Sequence, residues 1–163
     1  NMSGVVLGLH ASLTGGVPKQ PVEMLQVSET GCIGDQQNDQ RHHGGPLRAV
    51  CLLEDWVLER LQQDGHPIYP GSTGENMLIS GCSPGDLGIG SQLRVGSVWL
   101  SITSAAVPCK TIRNSFIGGQ FHHLSDKRNP GQTRWYAEVI QAGTVRLGDE
   151  VRLVTTNEPT GNP

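Results

Sequence analysis

The sequence lacks paired cysteines, a long apolar run and a strong net charge. The formal charge is −3, and nine of the twelve basic residues are arginine, so we expect no broad nucleic-acid-binding surface. No apolar stretch approaches the roughly 18 residues of a membrane-spanning helix, so we expect no membrane span. The first residues show no charged segment followed by an apolar one, so no secretory signal peptide is expected.

The cysteines are widely spaced and include no Cys-x-x-Cys pair, so a zinc ribbon has little support. They are Cys32, Cys51, Cys82 and Cys109. Their even number would allow two disulfides, but a chain of this size without a secretory signal is more typical of the reducing cytoplasm. We therefore predict a cytoplasmic protein with four free thiols, three of them buried as small apolar side chains.

Glycine is the abundant residue. The 22 glycines and 10 prolines punctuate the whole chain, which is typical of short strands joined by turns. Strands are predicted at residues 5–10, 49–53, 92–95 and 98–103, with two or three more between 137 and 154. Gly96-Ser97 is predicted to be a two-residue hairpin loop. The predicted fold class is a mainly β, barrel-like antiparallel domain with one or two short helices.

One helix is clear at residues 54–61, where Trp56, Val57 and Leu61 share a stripe. Asp64-Gly65 is expected to end it. A weaker helix is predicted around residues 135–138. The chain length favours a single domain over residues 1–154. The polar tail at 155–163 is expected to fray.

Two polar loops could bind a ligand. The first ends in His43-Gly44-Gly45, where paired glycines admit a close backbone approach and an imidazole can meet an anion or a metal; a solvated loop is the alternative. The second contains Gly74-Glu75-Asn76 and could offer backbone N–H groups to an oxyanion. It lacks the Gly-Lys-Ser/Thr of a P-loop, so nucleotide binding is not expected, and it could also be a plain turn.

Cys109 is the cysteine with the most distinctive surroundings. Pro108 is expected to end the preceding strand and to fix the approach to the thiol. Lys110 and Arg113 follow within four residues, and positive neighbours favour the thiolate, the form that attacks or binds a metal. The alternative is a buried cysteine at a strand end. His122-His123 gives a weaker metal signal, because adjacent side chains of an extended chain point to opposite sides.

In their joint order these segments resemble the MOSC family, which is named for the C-terminal domain of molybdenum-cofactor sulfurase. The matching motifs span roughly residues 30–152. They are Gly34-Asp35, His43-Gly44-Gly45, Ala49-Val50, Gly74-Glu75-Asn76, Leu87-Gly88-Ile89-Gly90, Leu93-Arg94-Val95-Gly96, Pro108-Cys109 and Gly143-Thr144-Val145-Arg146-Leu147-Gly148-Asp149.

The resemblance implies a β-rich barrel associated with the molybdenum cofactor (molybdopterin). It also implies that the Pro-Cys cysteine, here Cys109, is both the metal ligand and the catalytic residue. A soft thiolate suits either molybdenum ligation or a persulfide. The cofactor's phosphate and pterin would then be met by loop residues and nearby basic residues. These are His43, Gly44, Gly45, Arg48, Gly74, Glu75, Asn76, Lys110 and Arg113.

Two functions follow from the resemblance, and a third remains open. A reductase acting on small N-hydroxylated compounds would need an electron-donor protein, because no cysteine cluster here could hold an iron–sulfur centre. A sulfur carrier would need a cysteine desulfurase to load it, because no aminotransferase-like domain accompanies the barrel. The third reading is a barrel that acts only through protein contacts. In the first two, the loops bearing His43, Asn76 and Cys109 are predicted to meet at one pocket.

Overall fold

A computed structural model describes residues 3–36 and 45–155. His43 and Gly44, and the predicted tail beyond residue 155, lie outside the described residues. The elements are β1 (Ser3–Ala11), β2 (Gln20–Pro21), β3 (Met24–Ser28), β4 (Gly31–Cys32), β5 (Val50–Glu54), α1 (Asp55–Gln63), β6 (Met77–Ile79), β7 (Gln92–Val95), β8 (Val98–Ala106), β9 (Arg134–Gln141), β10 (Gly143–Arg146) and β11 (Glu150–Leu153).

Seven of these strands close into a barrel. Their order is β11, β7, β8, β9, β5, β6 and β1, and β1 pairs with β11 to complete the ring. Every neighbouring pair is antiparallel except β5 and β6. That parallel pair needs a crossover connection, and α1 with the loop after it provides one. The predicted barrel-like, mainly β class is therefore confirmed.

The barrel wall around β5 is buried on both faces. Val50 and Leu52 belong to the interior core, which also includes Leu100 and Ala137. Leu53, in contrast, packs outside the wall. Burial on both faces explains why β5 reads as an unbroken apolar run rather than an alternating one.

The outer apolar layer is formed by α1 and by the segment after β8. Val57 and Leu61 of the helix are fully buried. They pack with Ile112, Phe116 and other side chains against the outer surface of β5 and β6. The helix ends at Gln63, and Gly65 follows with a φ of 92°, as the Asp64-Gly65 signal predicts. This layer fixes the chain that carries Cys109 against the barrel.

A second helix was predicted around residues 135–138, and this prediction is wrong. These residues lie inside β9, which pairs with β5 on one side and β8 on the other. Their side chains alternate: Trp135 and Ala137 join the interior core, whereas Tyr136 packs outside with Cys51. Pairing on both sides overrides a weak local preference for helix.

The described residues contain no helix long and apolar enough to cross a membrane.

Candidate functional site

Cys109 lies at the junction between β8 and a 3-10 helix at Lys110–Ser115. Its backbone is extended, with φ −142° and ψ 177°, and its Sγ lies 2.9 Å from the Thr111 hydroxyl. The helix is anchored behind it, because Ile112 is buried and the Ser115 hydroxyl lies 2.9 Å from that of Ser72. The cysteine is therefore held by its flanks, while its own side chain stays partly exposed.

The other three cysteines are buried free thiols. Burial raises the pKa of Cys51 to about 11 and the pKa of Cys32 and Cys82 to about 12 each. A thiol reacts or binds metal as the thiolate, so these three are held in the inert form. Cys109 is the one cysteine of the four that solvent reaches. The prediction of four free thiols, three of them buried, is confirmed.

Polar and sulfur-bearing side chains lie on the outer surface of the barrel, beside the junction between β8 and the Lys110–Ser115 helix. We call this group the polar wall and define it as Asn76, Cys51, Tyr136 and Arg134. Cys51 pairs with Tyr136 across β5 and β9, and the backbone N–H of Cys51 donates to Asn76 Oδ1 at 3.0 Å. Burial raises the pKa of Tyr136. Ala106, at the end of β8 and three residues before Cys109, packs with Cys51 and Tyr136, so the chain that leads to Cys109 lies against the polar wall.

Asn76 is committed to the fold. It is fully buried, and its Nδ2 donates to Asp35 Oδ2 at 2.8 Å and to the His10 carbonyl at 3.3 Å. Together with the bond from Cys51, these contacts join three separate chain segments. Asn76 thus positions the polar wall, and both polar atoms of its side chain are hydrogen-bonded within the chain.

Asp35 and Lys19 form a buried ion pair behind Asn76. Their Oδ2 and Nζ atoms lie 2.8 Å apart, with side chains 4% and 6% exposed. Asp35 Oδ1 also accepts the backbone N–H of Ser12 at 2.8 Å. Buried charges persist when they are paired and hydrogen-bonded. This pair secures two loops beside the wall.

The loop containing Gly74-Glu75-Asn76 is organised around Glu75. This carboxylate is fully buried and accepts the Gly71 N–H at 2.6 Å and the Thr73 hydroxyl at 2.7 Å. Gly71 has a φ of 87°, and a Cβ there would lie 2.6 Å from the Lys19 carbonyl oxygen. Only glycine fits this position, because a side chain would meet both a disfavoured φ and a backbone atom.

Arg48 and Arg134 bring positive charge to the wall. The Arg48 guanidinium lies 5.6 Å from the centre of the Tyr136 ring, a distance at which a cation is attracted to the ring face. Arg134 is 6% exposed and donates from Nη1 to the Thr73 carbonyl at 2.7 Å, but its Nε has no partner among the described residues. Both charges favour an anionic ligand near Cys109.

The structure gathers some of the predicted site residues and separates others. Arg48 and the end of β8, three residues before Cys109, both lie beside Tyr136, and the buried Asn76 and Glu75 are hydrogen-bonded within the chain. Gly45 lines a polar cavity of about 300 Å³ together with Gly34, Asp35 and Cys32 among others.

Lys110 and Arg113 lie on the exposed surface of the 3-10 helix, and Arg113 Nη1 donates to the Lys110 carbonyl at 3.1 Å. His122 and His123 lie in a 3-10 turn rather than an extended segment. The His123 and His66 rings lie 4.7 Å apart between centres, tilted by 47°, and the His122 and Phe121 rings lie 4.4 Å apart, tilted by 48°. No group of three or more potential metal-ligating side chains is found in the described ranges.

Four residues of this region were not singled out from the sequence as site residues. Lys19 sits between turns and gave no signal. Cys51 and Tyr136 read as ordinary strand residues, since their outward direction depends on the register of β5 against β9. Arg134 did carry a signal, because a charge directly beside Trp135 in a buried strand is uncommon.

Comparisons with known proteins agree with the fold and with the family resemblance. The sequence model of the MOSC domain matches residues 39–152, which is most of the chain. Because the match covers more than half of the sequence, the chain belongs to the MOSC domain family.

Its relatives include Protein YiiM of Escherichia coli strain K12, with 27% identity over 136 residues. Another is the uncharacterized protein YflK of Bacillus subtilis strain 168, with 24% identity over 145 residues. These alignments cover 80 and 88% of this chain but 59 and 65% of the relatives. The chain therefore spans about six tenths of the length of these relatives.

Solved structures show the same fold. The YUAD protein of Bacillus subtilis has a TM-score of 0.73 at 18% identity, covering 92% of this chain and 94% of that chain. Crystalline YiiM from Escherichia coli has a TM-score of 0.65 at 22% identity, covering 98 and 73%. At such identities the likeness concerns the fold alone.

Proposed function

We propose that this protein binds the molybdenum cofactor, with the Cys109 thiolate as the metal ligand, and that it reduces N-hydroxylated compounds. The observation that carries the proposal is the contrast among the cysteines: three are buried, and one reaches solvent beside a wall rich in positive charge. The proposal places the protein in the reducing cytoplasm, where Cys109 stays a free thiol.

The residues present fit such a group in three respects. A soft thiolate is a suitable ligand for molybdenum. The unpartnered Arg134 Nε and the half-buried Arg48 supply charge for a phosphate. His10, which lies under the same loops, also has a buried Nδ1 without a partner among the described residues. Buried polar atoms without a hydrogen-bond partner are uncommon in folded proteins, and a functional site is one explanation for them.

When bound, the cofactor would supply the two-electron chemistry. The chain would hold and orient it. Thr111 can donate its hydroxyl hydrogen to the Cys109 sulfur across their 2.9 Å contact. Burial raises the pKa of Tyr136, so the phenol stays protonated at working pH and adds no negative charge to the site. Electrons would come from a donor protein.

Metal analysis tests the proposal. Protein produced in cells that synthesise the cofactor is expected to contain about one molybdenum per chain, and Cys109→Ala is expected to lose it. Cys82→Ala is the matched control, because Cys82 is buried in the barrel core. Molybdenum retained by Cys109→Ala, or absent from the wild-type protein after gentle purification, would overturn the assignment.

The same thiol supports a second candidate function. A partly exposed cysteine at a helix junction is reachable by a partner protein, as a persulfide carrier loaded by a cysteine desulfurase requires. Cyanolysis of freshly purified protein separates the two. Labile sulfur on Cys109 without molybdenum would favour the carrier, whereas molybdenum without labile sulfur favours the reductase.

A further inference from the structure

Arg134 is a buried charge with a donor atom that has no partner among the described residues. Its side chain is 6% exposed, its Nη1 donates to the Thr73 carbonyl, and its Nε has no partner in residues 3–36 and 45–155. A guanidinium carries five N–H donors, and burying it without a counter-ion is unfavourable. Such a group therefore points to a functional role.

The neighbouring carboxylates do not neutralise it. Both oxygens of Glu75 accept hydrogen bonds from its own loop, and Asp35 is paired with Lys19. No carboxylate of the described residues lies within ion-pair distance of Arg134. The positive charge of Arg134 is therefore not compensated by these carboxylates, and an external anion could compensate it.

Arg134 lies in the polar wall beside the chain that leads to Cys109. It pairs in register with Ala106, three residues before Cys109. Ala106 also packs with Cys51 and Tyr136 of the polar wall. The Thr73 carbonyl that receives the Arg134 bond belongs to the loop joined to the Lys110–Ser115 helix by the Ser72–Ser115 hydroxyl pair. An anion reaching Arg134 would enter at this seam, beside the cysteine.

We propose that Arg134 is the anion-binding residue of the Cys109 site and that it takes a phosphate monoester, the charged end of a ligand whose other end meets the thiol. The identity of that ligand rests on the proposed function, but the anion site itself does not. Guanidinium groups match phosphate because their planar donors can bind two oxygens at once. Arg48, whose guanidinium lies 5.6 Å from the centre of the Tyr136 ring, adds a second cation.

The first test uses the ligand-free protein and inorganic phosphate. We expect saturable phosphate binding by calorimetry or NMR titration, above any effect of chloride at equal ionic strength. Arg134→Met is expected to weaken it roughly 10- to 100-fold, the loss typical of hydrogen bonds to a charged partner. Arg94→Met is the matched control. Arg94, on β7, also has a buried Nε without a partner among the described residues, but its guanidinium lies over the Trp99 ring, 4.5 Å from the ring centre.

Stability measurements separate anion binding from a structural role. If Arg134 serves an anion, its replacement by methionine relieves an unpaired buried charge, so the melting temperature of the ligand-free protein stays the same or rises. If its role is only to hold the Thr73 carbonyl, Arg134→Met melts lower and phosphate binding is unchanged. Arg134→Lys keeps the charge and is expected to retain phosphate binding within about tenfold, which covers the case of a poorly folding methionine variant.

Failure of this inference can be told from failure of the proposed function. Phosphate binding that depends on Arg134, in a protein that never acquires molybdenum, supports the anion site and refutes the cofactor. Molybdenum that depends on Cys109, together with phosphate binding that is absent from the wild type or indifferent to Arg134, overturns the inference and leaves the cofactor proposal intact.

Discussion

Glu54 makes the stability of this protein depend on pH in a direction opposite to that of most carboxylates. It is 2% exposed and has no cationic partner within residues 3–36 and 45–155. Its oxygens accept the indole N–H of Trp56 at 2.7 Å and that of Trp135 at 3.1 Å. Burial raises its pKa from 4.5 to about 7, although the two indole donors favour the carboxylate. The desolvation effect outweighs the hydrogen bonds.

The size of the effect follows from this difference. A change in pKa from 4.5 to about 7 corresponds to roughly 3 kcal/mol, at about 1.4 kcal/mol for each tenfold change in acidity. Between these two pH values the unfolded chain releases the proton while the folded chain keeps it. The free energy of unfolding therefore falls by up to about 3 kcal/mol as pH rises from 4.5 to 7, and this contribution is constant above that.

Urea unfolding followed by circular dichroism at several pH values between 5 and 8 measures this slope. Glu54→Gln is expected to remove it, whatever its own stability, so the difference between variant and wild type should change with pH. Glu59→Gln, on the exposed face of α1, is the matched control and should follow the wild type. A constant difference between Glu54→Gln and wild type across this range would refute the reasoning.

A second variant tests the role of the indole donors. Trp56→Phe removes the shorter of the two hydrogen bonds to Glu54, so the carboxylate loses stabilisation and its pKa should rise further. The pH-dependent decline in stability is then expected to extend to higher pH than in the wild type. A shift to lower pH would show that the indole does not stabilise the charged form.

Three further outcomes are expected. Alkylation at neutral pH followed by peptide mass analysis should label Cys109 first, since the other thiols are buried and protonated; faster labelling elsewhere would contradict the site assignment. Asp35→Ala should lower the free energy of unfolding by about 3–5 kcal/mol because it strands the buried Lys19; adding Lys19→Met should recover part of the loss, and no recovery would argue against the ion pair. Gly71→Ala should destabilise by clearly more than Gly148→Ala: both have positive φ, but only Gly71 has a backbone atom in the way. Equal costs would mean that φ alone matters.

Much of the barrel could be predicted from local pattern. The hairpin of β7 and β8, the strand β5 and the helix α1 each carry a short-range signal: a two-residue turn, an apolar run and a 3.6-residue stripe. The prediction of a helix at residues 135–138 is wrong because these residues pair with β5 and β8, which are distant in sequence, and so form part of strand β9.

The sequence by itself determined the family and the strands with strong local patterns, because motif order and neighbouring residue types are given directly by the chain. It also predicts Cys109 as the functional cysteine. Only the tertiary structure decided which polar residues meet around it. Register places Cys51, Tyr136 and Arg134 on the outside of the wall, and closure of the barrel brings Asn76 beside them. It also buries Asn76 and Glu75, two residues predicted to contact the cofactor, and pairs their side-chain polar atoms within the chain.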